Sequence, residues 1–290
     1  MAPARGARPH DVGAPSNPLG CPFCPGNEDQ TPPETMVIRP GGGAPDSPGW
    51  LVRAIPNKFP ALDPEEGVHE VVLNSPRHVV RMADLTEGEL TLAIEVWAAR
   101  LAVVGADRRG LWPFLFHNQG AAAGASLQHT HVQIVGLPFH PPRLAARERA
   151  FAEAPECPTC TEIRGAGPRR VLETEGMVAW CPEVPPLSGT VRLAPRAHLP
   201  DWTAALDARA AARALLRLTG LIGERLGAEA INMWLHQRHP GGTDRYHWHM
   251  DLVPRLGTLA GLELGAGVIA VATSPETTAA RLSPPELAPG

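Results

Sequence analysis

The chain has 290 residues, 43% of them hydrophobic, and a formal net charge of −4. That length is enough for one large domain or two small ones with their own cores. The lack of any long charged run argues against a polynucleotide or membrane-surface partner.

The first twenty residues contain no apolar signal core, and no stretch approaches the roughly 18–20 apolar residues of a membrane span, so a cytoplasmic protein is expected. Proline, alanine and arginine are abundant, whereas Lys58 is the single lysine. Biased composition accounts for much of this, although one retained lysine can mark a position where arginine will not serve.

In chain order, the first half opens with CPFC at 21–24. A strand-like HEVVLNSP follows at 69–76 and leads directly into Arg77 and His78. Thr86 and Glu89 have capping-box spacing ahead of a helix that places Leu90, Ile94, Trp97 and Leu101 on one face. A second strand-like stretch, FLFHNQG at 114–120, runs into a small-residue loop. HTHVQIVGLP at 129–138 then alternates as a strand does.

After a Pro-rich and then charged linker at about 137–156, the order recurs. CPTC occupies 157–160, GTVRLAP 189–195 leads to Arg196 and His198, and an Ala/Leu/Arg-rich helix follows from about Thr203 to Leu226. INMWLHQ at 231–237 and HWHMDLVPRL at 247–256 close the series. The period is too long for a solenoid repeat. It predicts an α+β fold of two tandem subdomains, 1–140 and 141–290, related by internal duplication. Each would be an antiparallel sheet with a long helix.

Zinc favours four tetrahedral Cys and His ligands. One site would draw on Cys21, Cys24, His78 and one histidine of the first HxH strand. The other would draw on Cys157, Cys160, His198 and one histidine of the second. A redox dithiol is disfavoured, because neither CxxC opens a helix in a βαβ setting. Cys181 reads as a small buried hydrophobe, and His236 and His239 as extra ligands or surface histidines.

His129, His131 and Gln133 have the i, i+2, i+4 spacing of one strand face. Both histidines together would overfill a site that already holds Cys21, Cys24 and His78. One is therefore left beside the metal, where a neutral ring in a fixed tautomer can attack phosphorus. Spacing does not say which. GAAAGAS at 120–126, directly ahead, suits a phosphate cradle of backbone N–H groups around Gly124 with the Ser126 hydroxyl as a further donor.

NQGAAAGASLQHTHVQ (118–133), with CPFCPGNE (21–28), VRAIPNKFPAL (52–62), SPRH (75–78) and YHWHMDLVPRLGTLAGLELG (246–265), resembles the galactose-1-phosphate uridylyltransferase family of the histidine-triad superfamily, near its ADP-glucose phosphorylase-like branch. The resemblance implies zinc on Cys21, Cys24, His78 and His129, a nucleophilic His131, and Gln133 bonding the phosphoryl oxygens. It places Asn118 and Ser126 near the phosphates and Asn57 and Phe59 in the nucleotide segment. Arg5 and Arg8 loosely match an N-terminal phosphate-reaching element. Glu263 matches a glutamate that contacts sugar hydroxyls, often from the partner of a homodimer. Cys157, Cys160, His198 and His247 match a second metal site of some members.

The implied reaction is ping-pong: a nucleotide sugar donates its nucleotidyl group to histidine, and a hexose 1-phosphate accepts it. The alternatives are an ADP-sugar phosphorylase using inorganic phosphate, a dinucleoside-polyphosphate phosphorylase, and a catalytically silent zinc-stapled nucleotide-binding homologue. Thr130 departs from the family, which usually has proline between the two histidines. The second half carries Asp251 in the glutamine slot and no Gly/Ala loop before its HxH, so its HxH is expected to be structural.

Overall fold

The computed structural model describes residues 20–174, 176–202 and 207–283. Ten strands form one antiparallel sheet in the order β1-β2-β3-β5-β4-β9-β10-β8-β7-β6. The first five are β1 (Met36–Ile38), β2 (Val52–Pro56), β3 (Val68–Leu73), β4 (Trp112–Gln119) and β5 (His131–Leu137). The second five are β6 (Arg170–Thr174), β7 (Met177–Trp180), β8 (Val191–Pro195), β9 (Ile231–His236) and β10 (His249–Pro254). Read from either edge to the centre, the order is the same: three strands in sequence, then the fifth of the half, then the fourth. The halves meet where β4 pairs with β9, Phe116 opposite Trp234 and Asn118 opposite Asn232.

Two long helices, α1 (Glu87–Gly105) and α4 (Ala208–Leu226), cover one face. Thr86 caps α1 as its spacing predicts, and Leu90, Ile94, Trp97 and Leu101 are buried. The core between helices and sheet takes alternate residues of each strand, among them Val72, Leu115, Val132, Ile134, Met233, Leu235, Met250 and Leu252. Period-2 alternation then sends His131, Gln133, His249 and Asp251 to the opposite face. Two smaller cores lie there. One packs Cys21, Phe23, Cys24 and Trp50 on Ile55, Val71 and Leu73; the other packs Ala166 and Ile163 on Val178, Trp180 and Ala194.

The expected linker at 137–156 is instead largely α2 (Pro142–Glu153), whose Phe151 is buried. Its Pro-rich start hides the helix from a composition reading, but proline suits a first helical turn. Cys157 caps a short helix, α3 (Pro158–Arg164). The second CxxC therefore opens a helix. The element before it is α2 rather than a strand, so the setting is still not βαβ. Two further short helices follow among the described residues, α5 (Gly261–Ala266) and α6 (Pro275–Leu282). No described helix is long and apolar enough to cross a membrane.

Candidate active site

Cys21 and Cys24 lie on a tight turn, with Cys24 N–H donating to the Cys21 carbonyl at 3.1 Å. A buried Glu28 fixes that turn by accepting from Gly26 N–H and from Trp50 Nε1–H, both at 2.8 Å. His78 comes from the segment after β3. That segment is tied to the start of α1, because Glu89 accepts from Ser75 Oγ and Arg77 Nε, each at 2.7 Å, as well as from Thr86 N–H. The Arg77 guanidinium, with these further donors, holds the Glu89 carboxyl down at about 2. One glutamate thus caps the helix and anchors a candidate ligand.

The donor atoms of Cys21, Cys24, His78 and His129 all lie within 4.8 Å of one another. Cys24 Sγ is 3.3 Å from His78 Nδ1 and 3.7 Å from His129 Nδ1. His129 Nε2–H donates to the Ser75 carbonyl at 2.8 Å, which directs the Nδ1 lone pair toward the thiols. Burial and the neighbouring Cys21 push the Cys24 thiol up to about 12. A cation between the four atoms would reverse that shift, so this donor set fits a metal ion and specifically a thiolate-binding one.

The second set, Cys157, Cys160, His198 and His247, converges equally closely. Cys160 Sγ is 3.5 Å from His198 Nδ1 and 3.3 Å from His247 Nδ1. The Nε2–H groups of those rings donate to the carbonyls of Asp244 and Pro195.

His129 precedes β5 rather than lying on it, so the two histidines of HxH separate in role by backbone geometry. His131 Nδ1–H donates to the His129 carbonyl at 2.7 Å, which leaves the ring lone pair on Nε2. The His131 carbonyl is itself held at 2.7 Å by Nδ1–H of His117, a fully buried ring whose burial lowers it to about 4.

His131 and Gln133 line a cleft of about 440 Å³. Pro22, Phe23, Pro32, Ile55, Phe59 and Val71 give it apolar walls. Asn57, Lys58, Gln30, Thr31 and Ser126 supply polar groups. Apolar walls carrying a few polar groups are a lining that suits a small ligand with both an apolar ring and a polar group.

Within the 120–126 loop the N–H groups of Ala123, Gly124 and Ala125 donate to carbonyls of the loop itself, so they close the turn rather than face a phosphate. Gly124 adopts φ +82°, a left-handed conformation that favours glycine. Ser126 and Leu127 form the loop's edge on the cleft. Asn118 lies beside the loop, outside the cleft lining; its Oδ1 accepts from Asn232 Nδ2 at 2.8 Å, and Asn232 also bonds the Ala123 carbonyl. Asn232 belongs to the other half, and nothing in its local sequence marks it.

Glu263 is not among the cleft residues. It is half-buried on α5, where its carboxylate accepts from Ala260 N–H at 2.9 Å. Arg5 and Arg8 lie outside the described residues. Cys181 is buried, as expected of a small hydrophobe.

Thr130 replaces the usual proline with hydrogen bonds. Its N–H donates to the Val79 carbonyl at 2.6 Å, and its Oγ1 accepts from Asn74 Nδ2 at 3.1 Å. Asn74 Oδ1 is held in turn by Trp97 Nε1–H. A proline could not make the first of these bonds.

In the second half His249 Nδ1–H likewise donates to the His247 carbonyl, but His249 Nε2 accepts from Arg147 of α2 at 2.7 Å. Asp251 bonds Arg192 at 2.8 Å and lies 3.3 Å from Nε2 of His236. His236 is therefore a fully enclosed ring of β9, not a surface residue. His236, His249 and Asp251 also come within coordinating distance of one another. Two guanidiniums, those of Arg147 and Arg192, already occupy the space a cation would need.

The sequence model of the galactose-1-phosphate uridyl transferase N-terminal domain matches residues 52–141. ADP-glucose phosphorylase of Arabidopsis thaliana is 27% identical over 96% of this chain and 87% of its own length. Galactose-1-phosphate uridylyltransferase of Streptomyces lividans is 30% identical over 62% of this chain and 49% of its own length. The crystal structure of an ADP-glucose phosphorylase from Arabidopsis thaliana with bound ADP-glucose superposes with a TM-score of 0.82 at 26% identity, covering 97% of this chain and 93% of that one.

Proposed function

The chain belongs to the galactose-1-phosphate uridylyltransferase family, and from that membership we propose that it transfers a nucleotidyl group from a nucleotide sugar by way of His131. The observation that carries the reading is the tautomer of His131: Nδ1–H is fixed on the His129 carbonyl, and the ring lines the cleft beside Gln133. Nε2 attacks the α-phosphorus, the bond from that phosphorus to the bridging oxygen breaks, and sugar 1-phosphate leaves with the electron pair. Gln133 and Ser126 donate to the phosphoryl oxygens, Asn118 supports the loop beside them, and Asn57 and Phe59 bind the nucleoside end. In the second step an acceptor phosphate takes the group and restores the histidine.

With a hexose 1-phosphate as acceptor the enzyme is a uridylyltransferase. With inorganic phosphate and an ADP-sugar it is a phosphorylase. The similarity to ADP-glucose phosphorylase over nearly the whole chain favours this second reading.

Zinc is the ion that two thiolates and two imidazoles suit, at Cys21, Cys24, His78 and His129 and again at Cys157, Cys160, His198 and His247. Four protein ligands would leave it no open position, so the chemistry it would supply is structural: Cys21, Cys24, His78 and His129 would tie the CPFC turn and the His78 segment to the start of β5. Free thiols of this kind suit a reducing cytoplasm. The mirrored strand order supports two subdomains, 1–140 and 141–290, arisen by duplication. We assign the sugar-binding role of Glu263 to a homodimer in which it reaches the partner's cleft.

The test is intact-protein mass spectrometry after brief incubation with UDP-glucose, UDP-galactose or ADP-glucose. A nucleotide-sized gain in the wild type and none in His131→Ala is expected, and the mass names the base. A chase with inorganic phosphate or galactose 1-phosphate names the acceptor. Absence of an adduct with every donor, in zinc-loaded protein, would overturn the transfer reading and leave a nucleotide-binding homologue.

A further inference from the structure

A glutamine that donates to a phosphate must present its NH2 and turn its carbonyl away; the two ends are nearly isosteric, so something else has to choose. Gln133 Oε1 lies 3.0 Å from His69 Nε2 and 3.4 Å from Asn57 Nδ2. His69 is on β3, diagonal to Gln133 on the same sheet face: His69 pairs with Val135, and Val71 with Gln133. The ring of His69 is buried.

Two backbone amides, which can only donate, orient the two side chains that face the Gln133 oxygen. Ala61 N–H donates to His69 Nδ1 at 2.9 Å, so the ring proton lies on Nε2 and points at Gln133 Oε1. Phe59 N–H donates to Asn57 Oδ1 at 2.9 Å, so the Asn57 NH2 lies between Gln133 Oε1 at 3.4 Å and His69 Nε2 at 3.1 Å, and with the ring proton on Nε2 only the oxygen can accept from it. With its oxygen engaged from that side, Gln133 directs its own NH2 into the cleft beside His131.

We propose that His69 is a positioning residue that sets the amide of Gln133 with its donor toward the phosphoryl group. This rests on the reading that the cleft holds a nucleotide phosphate. Reversing the Gln133 amide would aim a carbonyl oxygen at the anion, turning an attraction into a repulsion. Because Ala61 and Phe59 belong to the segment that walls the nucleoside end, the same bonds register that wall against the reacting end.

Asparagine and glutamine separate the two jobs of His69. His69→Asn keeps an acceptor near the Nδ1 position for Ala61 but does not reach Gln133. His69→Gln can place an NH2 near the Nε2 position. The measurement is the single-turnover rate of nucleotidyl-adduct formation with ADP-glucose or UDP-glucose, together with the calorimetric affinity for ADP and UDP, in each variant with and without Gln133→Ala.

The expected result is a fall of about 10- to 100-fold for His69→Asn, recovery to within a few-fold for His69→Gln, and no added loss from His69→Asn once Gln133 is alanine. Full rate in His69→Asn, or losses that multiply in the double variant, would overturn it. If the wild type forms no adduct, the transfer reading fails while the diphosphate affinities still decide this one: a weakening by His69→Asn that vanishes with Gln133→Ala supports it, and unchanged or additive affinities refute it. A wild type that binds neither diphosphate overturns both.

Discussion

In each half a histidine two residues past one that joins a Cys/His set donates Nδ1–H back to that residue's carbonyl: His131 to His129 at 2.7 Å, and His249 to His247 at 3.0 Å. Both rings therefore carry their lone pair on Nε2, and both sit on the sheet face away from α1 and α4. The difference is what surrounds the ring. His131 lines the cleft, whereas His249 Nε2 meets Arg147, brought in by α2 and balanced by the buried Arg192–Asp251 pair. A reactive tautomer is thus a cheap consequence of the local turn, whereas reactivity depends on whether the rest of the fold leaves room in front of it.

The sharpest way to break this comparison is to remove each ring. His131→Ala should lose about four orders of magnitude in turnover with little change in stability, whereas His249→Ala should still take up a nucleotide on His131. Steady-state rates and adduct masses check both, and an adduct lost in His249→Ala but kept in His131→Ala would reverse the assignment of halves.

Asp251→Asn should cost about 1–3 kcal/mol, since it leaves the buried Arg192 guanidinium with only the more exposed Glu162 as its counter-charge. Urea unfolding reads that directly, and a cost near zero would mean that the network does not hold the second half together.

The two Cys/His sets should also part company. Cys21→Ser should remove metal and activity together, because the turn it anchors forms one wall of the cleft. Cys157→Ser should remove one equivalent of metal and lower the melting temperature, with activity retained at low temperature. Elemental analysis beside activity and melting curves distinguishes these outcomes.

Smaller effects refine the picture. Thr130→Val keeps the N–H to Val79 but leaves Asn74 Nδ2 without its acceptor, for about 1–3 kcal/mol by denaturant unfolding. The pH dependence comes from rings buried in both halves, His117 and His236, each lowered to about 4 by burial. A histidine whose folded pKa is depressed takes its proton first in the unfolded chain. Stability is therefore whole above about 6.5 and falls as pH drops toward 4, by roughly 1.4 kcal/mol per unit for each such ring. Unfolding at pH 7, 6 and 5 should give a slope that His117→Asn reduces by about one proton.

Local signals in the sequence determined much of this protein. The Thr86–Glu89 box, the period-2 strands, the paired CxxC and HxH motifs and the order in which they recur are short-range patterns that need no knowledge of the rest of the chain. They placed α1, the strands around both HxH motifs and both Cys/His sets.

What only the tertiary structure decided lies between elements distant in sequence. The joining of β4 to β9 into one sheet, the bond from Asn232 to Asn118, the insertion of Arg147 before His249 and the diagonal from His69 to Gln133 are of this kind. Each depends on strand register and on which side chain fills a space left by others. Those quantities are set by packing across more than sixty residues of chain, and no local spacing encodes them. His69 illustrates the limit: as the first residue of a strand-like run it looks like any half-buried polar residue, and its role appears only when β3 and β5 are laid side by side.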